Sequence, residues 1–179
     1  MAHESSIYDF TVTEKAEGSA AVKKTLGRLL VLAIPITYII ICFSFFAILA
    51  ILAVIYIPIV LYFWKWFNRD FRYRLESGTI TFAIIRGGNA KKAKDVLKFT
   101  IKDAEIIAPL DDEGKAKIAE AGIQNTYNFA SSLSKGYDIY YAIVDIDGVK
   151  SVVYFEATTR ALQVLYYYNH NTVATYVAR

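Results

Sequence analysis

LLVLAIPITYIIICFSFFAILAILAVIYIPIVLYFW, residues Leu29 to Trp64, contains no charged side chain. Lys23, Lys24 and Arg28 lie just before it; Lys65, Arg69, Arg72 and Arg74 lie just after. A straight helix of that length would extend roughly 54 Å at about 1.5 Å per residue, whereas the hydrocarbon core of a bilayer is only about 30 Å thick. The run is too long for one crossing and suits two short ones. Basic residues mark the cytoplasmic flank of a span. A hairpin keeps both basic clusters on that side; a single span would put one of them outside.

The reading is therefore a cell-membrane protein that crosses twice, over residues 19–68, with both termini in the cytoplasm. Ser19 would cap a first helix starting near Ala20. That helix would end near Phe43, and a second would run from Phe45 to Phe67. With no polar loop between them, Cys42-Phe43-Ser44 is the candidate turn. Pro35 and Pro58 fall inside the helices, as membrane spans tolerate. Lys23, Lys24, Arg28, Trp64, Lys65, Trp66 and Arg69 are the expected anchors at the interface, with Tyr62 adding to the aromatic belt. No acid, base or histidine interrupts the run. Buried ionisable groups mark ion and proton paths, so a transporter or channel acting alone is disfavoured.

Composition sets further bounds. The 179 residues leave room beside the hairpin for one domain, residues 69–179, of ordinary size. A short segment, residues 1–18, precedes the membrane. The net charge of +3 implies no nucleic-acid partner. Its distribution says more. Arg69, Arg72, Arg74, Arg86, Lys91, Lys92, Lys94, Lys98 and Lys102 face only Asp70, Glu76 and Asp95 in the stretch after the membrane. An anionic cytoplasmic leaflet attracts such bases, although topology signalling and solvated strand faces explain them too. Cys42 is the only cysteine, so no disulfide or cysteine-based zinc site forms within the chain. It reads as a small packing residue.

After Trp66 the apolar period switches from helical to two. Phe71, Tyr73 and Leu75 alternate with Arg72, Arg74 and Glu76. Ser77-Gly78 is a turn, and Ile80, Phe82 and Ile84 alternate with Thr79, Thr81 and Ala83. Arg86-Gly87-Gly88-Asn89 is a longer turn before Leu97, Phe99 and Ile101. Ala104 to Ala108 is a fourth strand, ended by Pro109. These predict an antiparallel meander with one buried face. Asp111 to Ala121 reads as a helix with acids in its first turn. A strand is expected around Tyr127 to Ala130. Asp147-Gly148 joins two further strands, Tyr137 to Ile146 and Val149 to Phe155, in a hairpin. A last helix spans Thr159 to Asn169, with Leu162, Leu165 and Tyr166 on one face. Before the membrane, Ile7 to Val12 has strand-type residues. A strand is not stable alone, so this one is expected to add to an exposed edge of the sheet.

Several of these segments carry a family likeness: the aromatic strand Ile7 to Val12; Tyr73-Arg74-Leu75 leading to Gly78; Glu105-Ile106-Ile107-Ala108-Pro109 followed by Asp111-Asp112-Glu113; and Ala130-Ser131-Ser132 before a tyrosine-rich strand. Over nearly its whole length the chain resembles a family of small bacterial membrane proteins with a two-helix anchor and a cytoplasmic PH-like domain. The resemblance implies an α+β membrane protein, with a transmembrane helical hairpin followed by an antiparallel PH-like β-barrel or sandwich and a C-terminal helix. It carries over no functional residues, because the family has no assigned activity.

No catalytic, cofactor or metal site is read from the chain. Asp145-Ile146-Asp147-Gly148 lacks the further ligands of a calcium loop. Asp111, Asp112 and Glu113 suit a helix N-terminus. His3 and His170 have no cysteine or acid cluster beside them. Arg86-Gly87-Gly88-Asn89 lacks phosphate-loop spacing. Tyr166-Tyr167-Tyr168 reads as helix packing with one exposed ring. Two functions remain. The first is a non-catalytic membrane-anchored interaction module or accessory subunit, whose PH-like domain binds a protein partner or whose hairpin associates with another membrane protein. The second is a reader of anionic lipid headgroups through Arg72, Arg74, Lys91, Lys92 and Lys94. Membrane lipids are partners in either.

Overall fold

The computed structural model describes residues 7–45, 58–64, 67–134 and 138–174. The apolar run begins as helix α1, Gly18–Phe45. Its stretch Gly18–Ile41 has a mean hydropathy of 1.7 and no buried residue in its most apolar part. Among the described residues it is the one helix long and apolar enough to cross a membrane. The expected turn at Cys42-Phe43-Ser44 does not form, because α1 passes through it. Nothing from Ile39 to Phe45 breaks a helix, so hydrogen bonding propagates through this stretch to Phe45. Ser19 likewise lies inside α1 and not at its cap. Residues 46–57, which hold most of the expected second helix, lie outside the described residues; 58–64 are helical.

The two ends of the run meet. Arg28 Nη2 donates to Asn68 Oδ1 at 2.8 Å, and its guanidinium lies 4.9 Å from the centre of the Trp64 ring. Gly27 sits so close to Phe67 that a Cβ there would fall 2.7 Å from the ring.

Two four-stranded sheets enclose the core. The first contains β1 (Tyr8–Thr13), β2 (Arg69–Glu76), β3 (Thr79–Arg86) and β4 (Lys94–Thr100), antiparallel and in that spatial order. It is thus built from both sides of the apolar run. The second contains β5 (Ala104–Pro109), β6 (Asn125–Asn128), β7 (Ile139–Ile146) and β8 (Val149–Glu156), ordered β5-β7-β8-β6. Helix α2 (Asp112–Glu120) follows β5, and α3 (Thr159–Tyr168) follows β8.

Local chemistry explains most of these elements. Ser77 and Gly78 both take positive φ, 49° and 78°, the backbone that matches the twist of a two-residue hairpin. Asp147 and Gly148, at 54° and 81°, repeat the device between β7 and β8. Asp111 caps α2 by accepting from Gly114 N at 2.7 Å, and Thr158 caps α3 by accepting from Ala161 N at 3.2 Å.

The meander stops one strand short of expectation. A 3-10 turn, Ile101–Asp103, makes a corner, and β5 pairs with β7 and not with β4. Alternation reports that one face is buried; it does not say against which sheet. β6 lies parallel to β8, two residues earlier than expected, and Phe129 and Ala130 follow it as buried residues. The tail closes the β5 edge: Ile107 N donates to Thr172 O at 2.8 Å and Ala174 N to Ile107 O at 2.9 Å.

Phe82 is fully buried at the centre, its ring stacked on Phe129 with centroids 4.7 Å apart. Tyr73 and Phe155 pack edge-on to it at 5.5 and 5.8 Å. The buried Tyr73 hydroxyl donates to Phe129 O. Burial also raises the Tyr73 phenol above its ordinary range, so it stays a neutral donor. Helix α3 covers the open side with Ala161, Leu162 and Leu165. Tyr166 does not join them. It is partly exposed beside His170, ring centroids 4.5 Å apart, because it lies about 100° around the helix from Leu165.

Candidate functional site

The register assembles one end of the first sheet at the apolar run. Thr13 pairs with Asp70, Arg69 with Arg86, and Ile84 with Lys94. The close of β1, the start of β2, the close of β3 and the start of β4 therefore lie together, with the 87–93 turn. From this end the chain leaves into α1, and to it the chain returns at Asn68. The departing segment is tied to the domain. Glu14 N donates to Arg69 O and Lys15 N to Ser131 O, both at 2.9 Å. Glu17 accepts from the Ser132 and Ser134 hydroxyls.

A bulge sorts the basic residues. Phe82 pairs with Leu97 but Ala83 pairs with Asp95, which leaves Val96 as the extra residue of β4. An inserted residue reverses the facing of everything beyond it. Lys94 consequently shares the face of Ile84 and not that of Lys98. The five bases expected in one patch fall into two grooves. Arg72, Arg74 and Lys91 line an outer groove of about 390 Å³ with Lys98, Glu76 and Asp95. Lys92 and Lys94 line another of about 570 Å³ with Arg86, Tyr62, Ile84, Asp95 and Val96. The helical stretch 58–64 brings Tyr62, and β3 brings Arg86; periodicity alone named neither as a site residue.

Within the outer groove Arg72 is already engaged. Its Nε donates to Asp9 Oδ1 at 2.8 Å and to Oδ2 at 2.9 Å, and its Nη2 also reaches Oδ2. Asp9 on β1 lies two residues from Thr11, the partner of Arg72, so the pair is a diagonal on one face. Its signal in the sequence was an acid on a strand whose register was unknown. The hydrogen bonds from Arg72 hold the Asp9 carboxyl below the usual carboxylate range. A lowered folded pKa stabilises above the unfolded value, and that stabilisation is lost as pH falls through the folded one. Asp9→Asn should therefore lower stability by about 0.5–1 kcal/mol at neutral pH, a solvent-screened pair, and the deficit should shrink as pH falls below the ordinary aspartate range. Urea titrations of parent and variant across pH check this.

The anchors divide similarly. Lys23 is exposed and Lys24 half-buried on the first turns of α1. Arg28 is held by Trp64 and Asn68. Arg69 starts β2 and is exposed. Lys65 and Trp66 lie outside the described residues, as does His3; the side chain of Cys42 does too. Asp112 pairs with Lys115 at 2.8 Å on the surface of α2. Among the described residues, no group of three or more His, Cys, Asp or Glu is placed to hold a metal ion.

Two sheets closed by a C-terminal helix, with the first strand recruited from before the apolar run, leave the family to be decided by comparison. The family described as Bacterial PH-like domain (DUF6106) matches residues 6–175. The chain belongs to this family. The match spans β1, the apolar run and both sheets as one unit. A PH-like domain is in general a module for binding lipids or proteins. Neither the curated proteins nor the solved structures yield a match.

Proposed function

We propose that this PH-like protein is a non-catalytic, membrane-anchored interaction module. Its domain, residues 8–13 together with 69–174, is held at the inner face of the cell membrane by a two-helix hairpin inserted between its first two strands. The observation that carries this reading is the β1–β2 ladder, Tyr8↔Leu75 to Thr13↔Asp70. If α1 crosses a bilayer once, the strands before and after it lie on opposite sides and cannot pair. An even number of crossings reconciles the ladder with an apolar helix, and residues 46–64 hold the apolar sequence for the return. The contact of Arg28 with Trp64 and Asn68 supports the same closure. Basic flanks put the closed end in the cytoplasm.

Surfaces for a protein partner remain on α3, where Tyr167 is 67% exposed, and along the outer edge of β4. The lipid-reading alternative is favoured by one observation, the collection of bases at the membrane end of the sheet. The anchor is tested by sidedness: residues before and after the apolar run should be reached from the same face of a sealed vesicle.

A further inference from the structure

We propose that Glu17 is the latch of a conformational device that sets how the domain is held against α1, with Gly18 as its hinge. The device goes beyond the anchored reading, since it belongs to the join between α1 and the domain and needs no bilayer. The linker from β1 to α1 is fastened to both sheets. Glu14 N donates to Arg69 O at the start of β2, and Lys15 N to Ser131 O in the loop between β6 and β7. Beyond Lys15 a side chain takes over. The Glu17 carboxylate accepts from the Ser132 hydroxyl through Oε1, and from the Ser134 hydroxyl through Oε2 at 2.6 Å. Both of its oxygens grip one loop.

That loop is itself fixed to the core. Ser131 N donates to Glu156 Oε1 at 2.7 Å, Asn128 Oδ1 accepts from Ala130 N at 3.0 Å, and Phe129 stacks on Phe82. By contrast, α1 begins at a joint. Gly18 has a φ of 54°, a backbone open to glycine and strained for other residues, and nothing lies within 4 Å of the place its Cβ would take. Arg28 binds α1 to Trp64 and Asn68, so the helix and the returning segment move together about Gly18 and the Asn68–Arg69 join. With the latch closed, a tilt of α1 passes through Glu17 and the 131–134 loop to Phe129 in the core. With it open, α1 swings while Glu14 and Lys15 keep β1 in its sheet. Hydrogen bonds to an ionised group are among the stronger polar contacts. Glu17 is only half-buried and Ser134 is exposed, so water competes for the carboxylate and closure is reversible.

The test uses the full chain in detergent, in a Cys42→Ala background, with spin labels on cysteines replacing the exposed Thr25 of α1 and Glu120 of α2. Pulsed electron spin resonance reads the distance between them. The parent should give one narrow distribution. Glu17→Ala, and the double variant Ser132→Ala, Ser134→Ala, should each raise the displaced fraction roughly tenfold or more, through loss of hydrogen bonds to a charged group. Ser134→Asp sets a second carboxylate against Glu17 and should displace the helix as well. Adding Glu17→Gln to Ser134→Asp should restore the narrow distribution, a dependence on charge that simple packing does not produce. The melting temperature of the domain should stay near that of the parent in the Glu17 and Ser134 variants. A parent distribution that is already broad, or one left narrow by every variant, overturns the latch. Displacement by Glu17→Ala without displacement by Ser134→Asp overturns it too, because the two side chains would then act separately. A fall in melting temperature that accompanies displacement in every variant would make Glu17 a general stabiliser and not a latch.

Discussion

Removing residues 1–13 is expected to lower the stability of the domain by roughly 3–5 kcal/mol, judged from the apolar surface that would be re-exposed. Tyr8, Phe10 and Val12 alternate along β1 and pack against the core. Phe10 lies 4.4 Å from Tyr73 between ring centres, and the Tyr8 hydroxyl shares a 2.6 Å hydrogen bond with Thr158 at the start of α3. Deletion also opens the whole length of β2 as an edge, and unpaired edges invite association. Hydrogen exchange along Phe71 to Leu75 should rise sharply in the truncated chain, and the melting temperature should fall by many degrees. An unchanged melting temperature would mean that β1 is ornamental and that the ladder does not hold the two sides of the apolar run together.

A loss of similar size is expected from Phe82→Ala, about 3–5 kcal/mol for a large core aromatic. A small domain is stable by only about 5–15 kcal/mol, so the variant should be largely unfolded at moderate temperature. Phe82 joins both sheets: it pairs with Tyr73 and Leu97 in the first and packs on Phe129 and Phe155 from the second. Phe82→Leu fills most of the volume and should lose much less. Near-UV circular dichroism of the detergent-solubilised chain, followed through a thermal ramp, separates the three proteins.

Much of the fold is legible in the sequence because it is written locally. The alternation of Phe71, Tyr73 and Leu75, the turns Ser77-Gly78 and Asp147-Gly148, and the acid cap of α2 each depend on neighbours a few residues away. The pairing of β1 followed from its strand-type residues and the need of a lone strand for a partner. What escaped was set at long range. The corner at Ile101–Asp103 sends β5 to the second sheet, and nothing in the period of β5 says so. β6 chooses a parallel partner some 25 residues downstream. The continuation of α1 through Cys42 is equally hidden, because the run holds no polar loop or breaker residue to mark where its first helix ends.

The candidate site was legible in its residue types and not in its grouping. Arg72, Arg74, Lys91, Lys92 and Lys94 read as one patch only if β4 alternates without interruption. The single extra residue, Val96, turns Lys94 away from Arg74 and places it with Arg86 and Tyr62. Asp9 stands some 60 residues before Arg72, on the far side of the apolar run, so its claim on that guanidinium needs the β1–β2 register.

That register also supplies the most direct measurement. Single cysteines at Ser5 and Asp147 in a Cys42→Ala background can be labelled in sealed vesicles with a maleimide that does not cross membranes. Both positions should react from the cytoplasmic face alone, one standing before the apolar run and the other on the β7–β8 turn beyond it. Reaction of the two from opposite faces would mean a single crossing, and a hairpin closed by β1 and β2 would be contradicted.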